Sequence, residues 1–400
     1  MRNQPTRRQF LQTLGAAGAV SFTGLLPRWT QCLASDAASK TDRILVLIQL
    51  AGGNDSLNTF VPYKNDDYHK ARPGIGIGQG AALALDDELG LHPSLSGFRK
   101  LWDAGRLAVV DGVGYPEPDR SHFRSMDIWH SAQPQIADPR TGWLGRTFDD
   151  GVASGKTVEA AGIGMSKAPL AMIGRQTAPP TIQRLEEFRL LEPTAKVAPS
   201  VAGTAGAGSD LEFLRRTATT TLTSAERLKT LDHGDNSSGG YPHTGLGRHL
   251  KLVGQMITAE MPTRVFFVSL DGFDTHSQQA PGHAALLTEL SEAVSAFVGD
   301  LKEHNLSDRV LIAGFSEFGR RVKENGSLGT DHGAAASLFA IAPEGKGGRY
   351  GSMPSLTDLD DGDLKFTTDF RRVYATLLES WLGIASEGVL GGKYEPLAFA

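Results

Sequence analysis

The 400-residue chain has almost no cysteine; Cys32 is the only one. One thiol cannot form an intramolecular disulfide or a thiolate-rich metal cluster. Acidic residues are missing from positions 1–34, which carry the four arginines Arg2, Arg7, Arg8 and Arg28. Aromatic residues make up only 8%, and no run of them resembles a sugar-stacking platform. No apolar run is long enough to span a bilayer, so no transmembrane segment is expected.

What the N-terminus does have is Thr6-Arg7-Arg8-Gln9-Phe10-Leu11, followed by the mildly apolar LGAAGAVSFTGLLP. Twin arginines before a short Gly/Ala-rich stretch read as an export signal of the twin-arginine type. Cleavage is expected near Ala34 or Ala37, giving a signal over 1–37 that takes Cys32 with it. The export machinery is then one partner, and the periplasm or the exterior is the destination. That route carries proteins already folded, often with a cofactor loaded. Loss of the four N-terminal positive charges takes the net charge from -5 to -9. Such an acidic surface excludes nucleic acid as the main partner.

Residues 38–400 fit a single α/β domain. Runs rich in Val, Ile and Leu predict strands at Arg43–Leu50, Arg106–Val113, Arg264–Leu270, Arg309–Phe315 and, more weakly, Ala336–Ala342. Helical patterns fall at Ser94–Ala104, Ser121–Ala132, Leu211–Leu231, Gly245–Ala259, Ala284–His304 and Asp369–Leu382. Continuous apolar strands alternating with amphipathic helices imply a mainly parallel central sheet with helices on both faces. Pro193–Ser209 and Asp232–His243 read as flexible surface loops.

Sites in open parallel sheets form beyond the carboxyl ends of the strands. After the first strand comes Gly52-Gly53-Asn54-Asp55-Ser56. The second leads through DGVGYPEPDRSHF to Ser121 and His122. The third ends in Asp271-Gly272-Phe273-Asp274-Thr275-His276, and the fourth in Ser316-Glu317-Phe318-Gly319-Arg320-Arg321. Gly329-Thr330-Asp331-His332-Gly333 precedes the fifth. A polar turn explains any one of these segments. Together, Asp55, Asp274, His276, Glu317, Asp331 and His332 make a sulfur-free set of carboxylates and imidazoles. Such a set suits divalent cations. The histidines favour Zn²⁺ or Mn²⁺, with Mg²⁺ or Ca²⁺ also compatible.

The segments AGGNDSLNTFVPY, LHPSL, VDGVGYPEPDRSHF, GWLGR, DGFDTH, SEFGRR, GTDHG and TDFRRVYATLLESWLG, in this order, resemble the domain of unknown function 1501 family. That family is regarded as sulfatase-like within the alkaline phosphatase superfamily. The resemblance implies an alkaline phosphatase/sulfatase-like fold and a two-metal site. Asp55 matches its first metal-binding aspartate, and Ser121 matches its nucleophile at a helix N-terminus. Asp274 and His276 match a later Asp–His pair, with one residue between them instead of three. The next acid is either Asp331, with His332 as its pair, or Glu317, with His332 as the final histidine. Strand order favours Glu317, and either way the set falls one histidine short.

The expected function is hydrolysis of a small anionic phosphate or sulfate ester. His122 is an additional acid/base or ligand candidate. Asn54, Arg124 and Arg320 are candidates for substrate binding, the arginines by bidentate contact with oxyanions. Ser121 could equally be a plain N-cap. The missing histidine and the short Asp-x-His spacing keep a second reading open, a non-catalytic metal- or anion-binding exported protein.

Overall fold

A computed structural model of the protein describes residues 43–154, 158–183 and 240–400. The expected export signal, the loop at Pro193–Ser209 and the helix at Leu211–Leu231 lie outside the described residues, as does most of Asp232–His243. The central sheet has nine strands: β1 Ile44–Ala51, β2 Leu107–Gly114, β3 Glu159–Ile163, β4 Thr181–Ile182, β5 Thr263–Asp271, β6 Val310–Phe315, β7 Ala336–Ile341, β8 Gly348–Gly351 and β9 Thr368–Asp369. Their spatial order is β8-β2-β7-β6-β1-β5-β3-β4, with β9 also paired to β2. β7 runs antiparallel to both β2 and β6. The other pairings are parallel.

β1 lies in the middle, with Leu45 opposite Val265 of β5 and Leu311 of β6. Its side chains alternate between two cores, as the two-residue period of a strand requires. Ile44, Val46, Ile48 and Leu50 point into one, Leu45 and Leu47 into the other. Burial on both faces is why the strand reads as an unbroken apolar run.

The α-helices among the described residues are α1 Ser56–Thr59, α2 Asp66–Ala71, α3 Ser96–Asp103, α4 His122–Ser131, α5 Trp143–Ser154, α6 Gly245–Thr258, α7 Gln279–Glu303, α8 Phe370–Ala375 and α9 Glu387–Leu390. α3, α6 and α7 cover the first face through Phe98, Leu250 and Val294. α4, α5 and α8 cover the second through Trp129, Trp143 and Tyr374. α8 runs on into a π-helical segment, Thr376–Leu382, and Asp369 caps it by accepting the Arg371 N–H at 2.9 Å. α7 starts five residues before the expected Ala284, because Pro281 is tolerated in a first turn, where no backbone N–H is needed. β3, EAAGI, and α5 carry no strong periodic signal and were not expected. None of the helices among the described residues is long and apolar enough to cross a membrane.

The direction of β7 decides which segments meet at this end of the sheet. Because it runs against its neighbours, the residues that precede it sit at the same edge as the ends of β1, β5 and β6. Gly319 N–H donates to Ala334 O (2.9 Å), Gly333 N–H to Gly319 O (2.8 Å) and Arg321 N–H to Asp331 O (3.0 Å). These bonds carry the β6–β7 ladder past the strands and lay SEFGRR beside GTDHG.

Candidate metal centre at the sheet edge

Three segments converge at this edge. His122 is the first residue of α4, Asp274 and His276 follow β5, and His332 precedes β7. Asp274 is the hub. Its Oδ1 lies 3.0 Å from His276 Nε2 and 3.1 Å from His332 Nε2, and its Oδ2 lies 3.4 Å from His122 Nε2. The Nε2 atoms of His276 and His332 are 2.9 Å apart. Ligand atoms of His122, Asp274 and His332 all fall within 4.8 Å of one another.

The far nitrogen of each ring fixes its tautomer. His332 Nδ1 lies 2.8 Å from the Arg120 carbonyl, which can only accept, so Nδ1 must donate. His122 Nδ1 meets Glu317 Oε1 at 2.9 Å, and His276 Nδ1 stands 3.5 Å from Asp331 Oδ1. Carboxylates likewise only accept. With Nδ1 donating, each neutral ring turns its lone pair outward on Nε2. Three lone pairs then face one carboxylate, and His122 Nε2 is buried there without a hydrogen-bond partner. Unless a cation lies between them, these groups repel. Histidines whose Nδ1–H is held by a carboxylate or carbonyl, with Nε2 free, are the usual arrangement behind a metal ion.

Electrostatics favour the same protonation states. Partial burial raises the Asp274 pKa, but the Arg320 guanidinium, through its hydrogen bond and its charge, outweighs this and holds the carboxyl below its ordinary value. Burial pushes the His332 pKa below its ordinary value, against the pull of the Arg120 carbonyl and Asp274. The carboxylate is therefore charged and the imidazole neutral near pH 7, as metal ligands must be.

The double glycine after β1 makes this approach possible. A Cβ on Gly52 would come within 2.5 Å of the Asp274 backbone nitrogen, and one on Gly53 within 2.2 Å of the Phe318 ring. Both glycines also have positive φ. Phe318 uses the space to pack its ring centroid 4.9 Å from that of His122 and 4.6 Å from that of His332.

Several expected site residues do other work. Asp55, expected as a metal ligand, is fully buried and paired with Arg72 of the α2 C-cap, Nη1 to Oδ2 at 2.6 Å. Burial raises its pKa, yet the guanidinium more than offsets this and holds it below the usual value. Glu317, also expected as a ligand, has both oxygens committed to the Gly52 N–H, His122 Nδ1 and the Ser316 hydroxyl. Asp331 stands behind His276 and accepts from Asn325 Nδ2 at 3.1 Å. Glu317 and Asp331 thus each stand behind one histidine, His122 and His276.

The expected substrate contacts are also committed elsewhere. Asn54 is buried and holds the turn, its side chain accepting from His283 and Thr59. Arg320 is buried against the carbonyls of Gly52, Gly53, Phe273 and Thr330 besides Asp274. Arg124 donates to the carbonyls of Pro134, Ile136 and Ala137, the loop after α4. Ser121 is exposed at the N-cap of α4; its N–H donates to Asp119 Oδ1, and its side chain makes no capping bond. Sequence reasoning missed Arg72, Gln279 and the Arg120 carbonyl, none of which carries a local motif.

A sequence profile described as a protein of unknown function, DUF1501, matches residues 42–388. The chain belongs to the DUF1501 family. No curated protein sequence matches it. Among solved structures, this DUF1501 chain is similar to the phosphonate monoester hydrolase of Agrobacterium radiobacter, at 10% identity and a TM-score of 0.39 over 88% of this chain and 78% of that one. It is similar to the PsFucS1 sulfatase from Pseudoalteromonas sp., at 10% identity and a TM-score of 0.38 over 92% and 72%. The lipoteichoic acid synthase LtaP from Listeria monocytogenes matches at 7% identity and a TM-score of 0.36 over 90% and 75%. With so few identical residues, the chemistry has to be read from the site itself.

Proposed function

We propose that the protein is a metal-dependent hydrolase of small anionic phosphate or sulfate esters, acting outside the cytoplasm. Nε2 of His122, His276 and His332 and the carboxylate of Asp274 would hold the cation. The observation that carries this reading is the convergence of three outward-facing imidazole lone pairs on one ionised carboxylate. Three imidazoles and a carboxylate, with no sulfur, favour Zn²⁺ or Mn²⁺. A divalent ion there supplies Lewis acidity, neutralising an oxyanion and making a hydroxyl a better nucleophile.

Ser121 is the candidate nucleophile. It is exposed, adjoins His122 in the chain, and sits where the first N–H groups of α4 favour negative charge. With Arg124 and Arg320 tied to carbonyls, those N–H groups are candidate donors for a substrate oxyanion. The mature protein should turn over an aryl phosphate or aryl sulfate after loading with Zn²⁺ or Mn²⁺. Ser121→Ala should abolish that turnover while leaving metal content unchanged. Turnover that survives in Ser121→Ala would remove Ser121 from the role.

The second reading, a non-catalytic ion-binding exported protein, is favoured by one observation. Four protein donors are enough to close a tetrahedral shell, as in structural sites. A bound ion with no turnover on either ester class would support it.

A further inference from the structure

The resemblance to a two-metal superfamily gives Asp55 to one of two cations. Here a guanidinium stands in that place. Asp55 Oδ2 accepts from Arg72 Nη1 at 2.6 Å and from Gln279 Nε2 at 2.5 Å. Four of the five Arg72 N–H groups are engaged: besides Asp55, Nη1 donates to Asn58 Oδ1 (2.7 Å), Nε to Val322 O (2.9 Å) and Nη2 to Arg321 O (2.9 Å). The side chains of Asp55 and Arg72 are both 0% exposed.

We infer that the centre holds a single divalent ion, and that Arg72 is the built-in positive charge that takes the place of a second. This rests on the metal reading above and goes beyond it in fixing the number of ions and excluding Asp55 from their ligands. Three observations carry it. First, Asp55 Oδ1 is the only oxygen of that carboxylate left without a hydrogen bond. An ion bound there would share a fully buried carboxylate with a fixed guanidinium, and like charges at such range repel strongly in a buried setting; Asp274 also meets a guanidinium, that of Arg320, but is itself about half exposed. Second, His122, Asp274 and His332 are the only group of three such donors among the described residues, and Asp55 belongs to no such group. Third, the hydrogen-bonded neighbours of Asp55, Arg72 and Gln279, are both donors, and Gln279 is fixed in turn by Thr330 Oγ1 donating to its Oε1 at 2.7 Å. Oδ2 is thus held by two N–H groups, not by a cation.

The test is metal stoichiometry. Mature protein is stripped with a chelator, reloaded with Zn²⁺ alone, freed of excess by gel filtration, and analysed by plasma mass spectrometry beside calorimetric titration. The expected result is one tight site per chain. Two tight sites would overturn the inference while leaving the metal reading intact; no tight site would overturn both. Asp55→Asn, which keeps the shape, should still bind one ion with affinity within about 3-fold of the parent. Asp274→Asn should lose more than the 10- to 100-fold typical of a supporting residue. An equal loss in Asp55→Asn would overturn the inference. If Asp55→Asn does not fold, the count in the unaltered protein decides.

Discussion

Replacing Glu317 by glutamine asks whether the carboxylate behind His122 serves the metal centre or only the fold. Glu317 is buried, with Oε1 accepting from the Gly52 N–H and from His122 Nδ1, both at 2.9 Å. Its Oε2 takes the Ser316 hydroxyl at 3.2 Å. Glutamine has the same shape. Its carbonyl can keep the first two bonds. Its amide can donate to Ser316 Oγ, which accepts the Asn54 N–H at 2.8 Å and has a second lone pair. The fold should therefore survive, and what is lost is the negative charge that makes the imidazole a better donor. Removing such a supporting partner costs about 10- to 100-fold in metal affinity, or about 1.4–2.7 kcal/mol. Competition between metal-stripped protein and a chromophoric chelator for Zn²⁺ reads this directly, with the urea midpoint of the stripped protein as the control on folding. An unchanged Zn²⁺ affinity in a normally folded Glu317→Gln would refute the reasoning.

Arg72→Met should destabilise the protein by about 3–5 kcal/mol in urea unfolding, because it leaves the Asp55 carboxylate buried without its partner; a cost under 1 kcal/mol would show that the pair is not what holds Asp55. Burial lowers the pKa of both His130 and His283 to about 4. With folded values depressed below the unfolded ~6.5, each group contributes stability that is fully present above pH ~6.5 and is lost as the pH falls towards 4. The loss should reach about 3 kcal/mol per histidine, and His130→Gln should flatten part of it; a stability that stays flat from pH 7 to pH 4.5 would contradict this.

Much of the fold was legible because strands buried on both faces leave an unmistakable apolar run. Ile44–Ala51, Leu107–Gly114, Thr263–Asp271 and Val310–Phe315 each fall within a residue or so of their expected bounds. β3 was not legible, since EAAGI has the alanines and glycine of a crowded sheet and few of the branched side chains that mark one. The strand-end acids and histidines that gather at this edge were legible in the sequence, but the contacts among them were not. Which carboxylate stands behind a ring depends on where Nδ1 points, and one of the three Nδ1 partners is a backbone carbonyl. Asp55 looked like a ligand because nothing in KARPG announces that Arg72 will turn back on it. His122 gained weight only in three dimensions, where the start of α4 meets the start of an antiparallel β7.

The central claim is that three imidazoles and one carboxylate hold a divalent cation at this edge of the sheet. X-ray absorption at the zinc edge of the Zn²⁺-loaded mature protein tests it most directly. The expected spectrum shows a shell of nitrogen and oxygen without sulfur, with the outer scattering of three imidazole rings, reduced to two in His332→Ala. A shell without imidazole scattering, or one unchanged by that substitution, would contradict it.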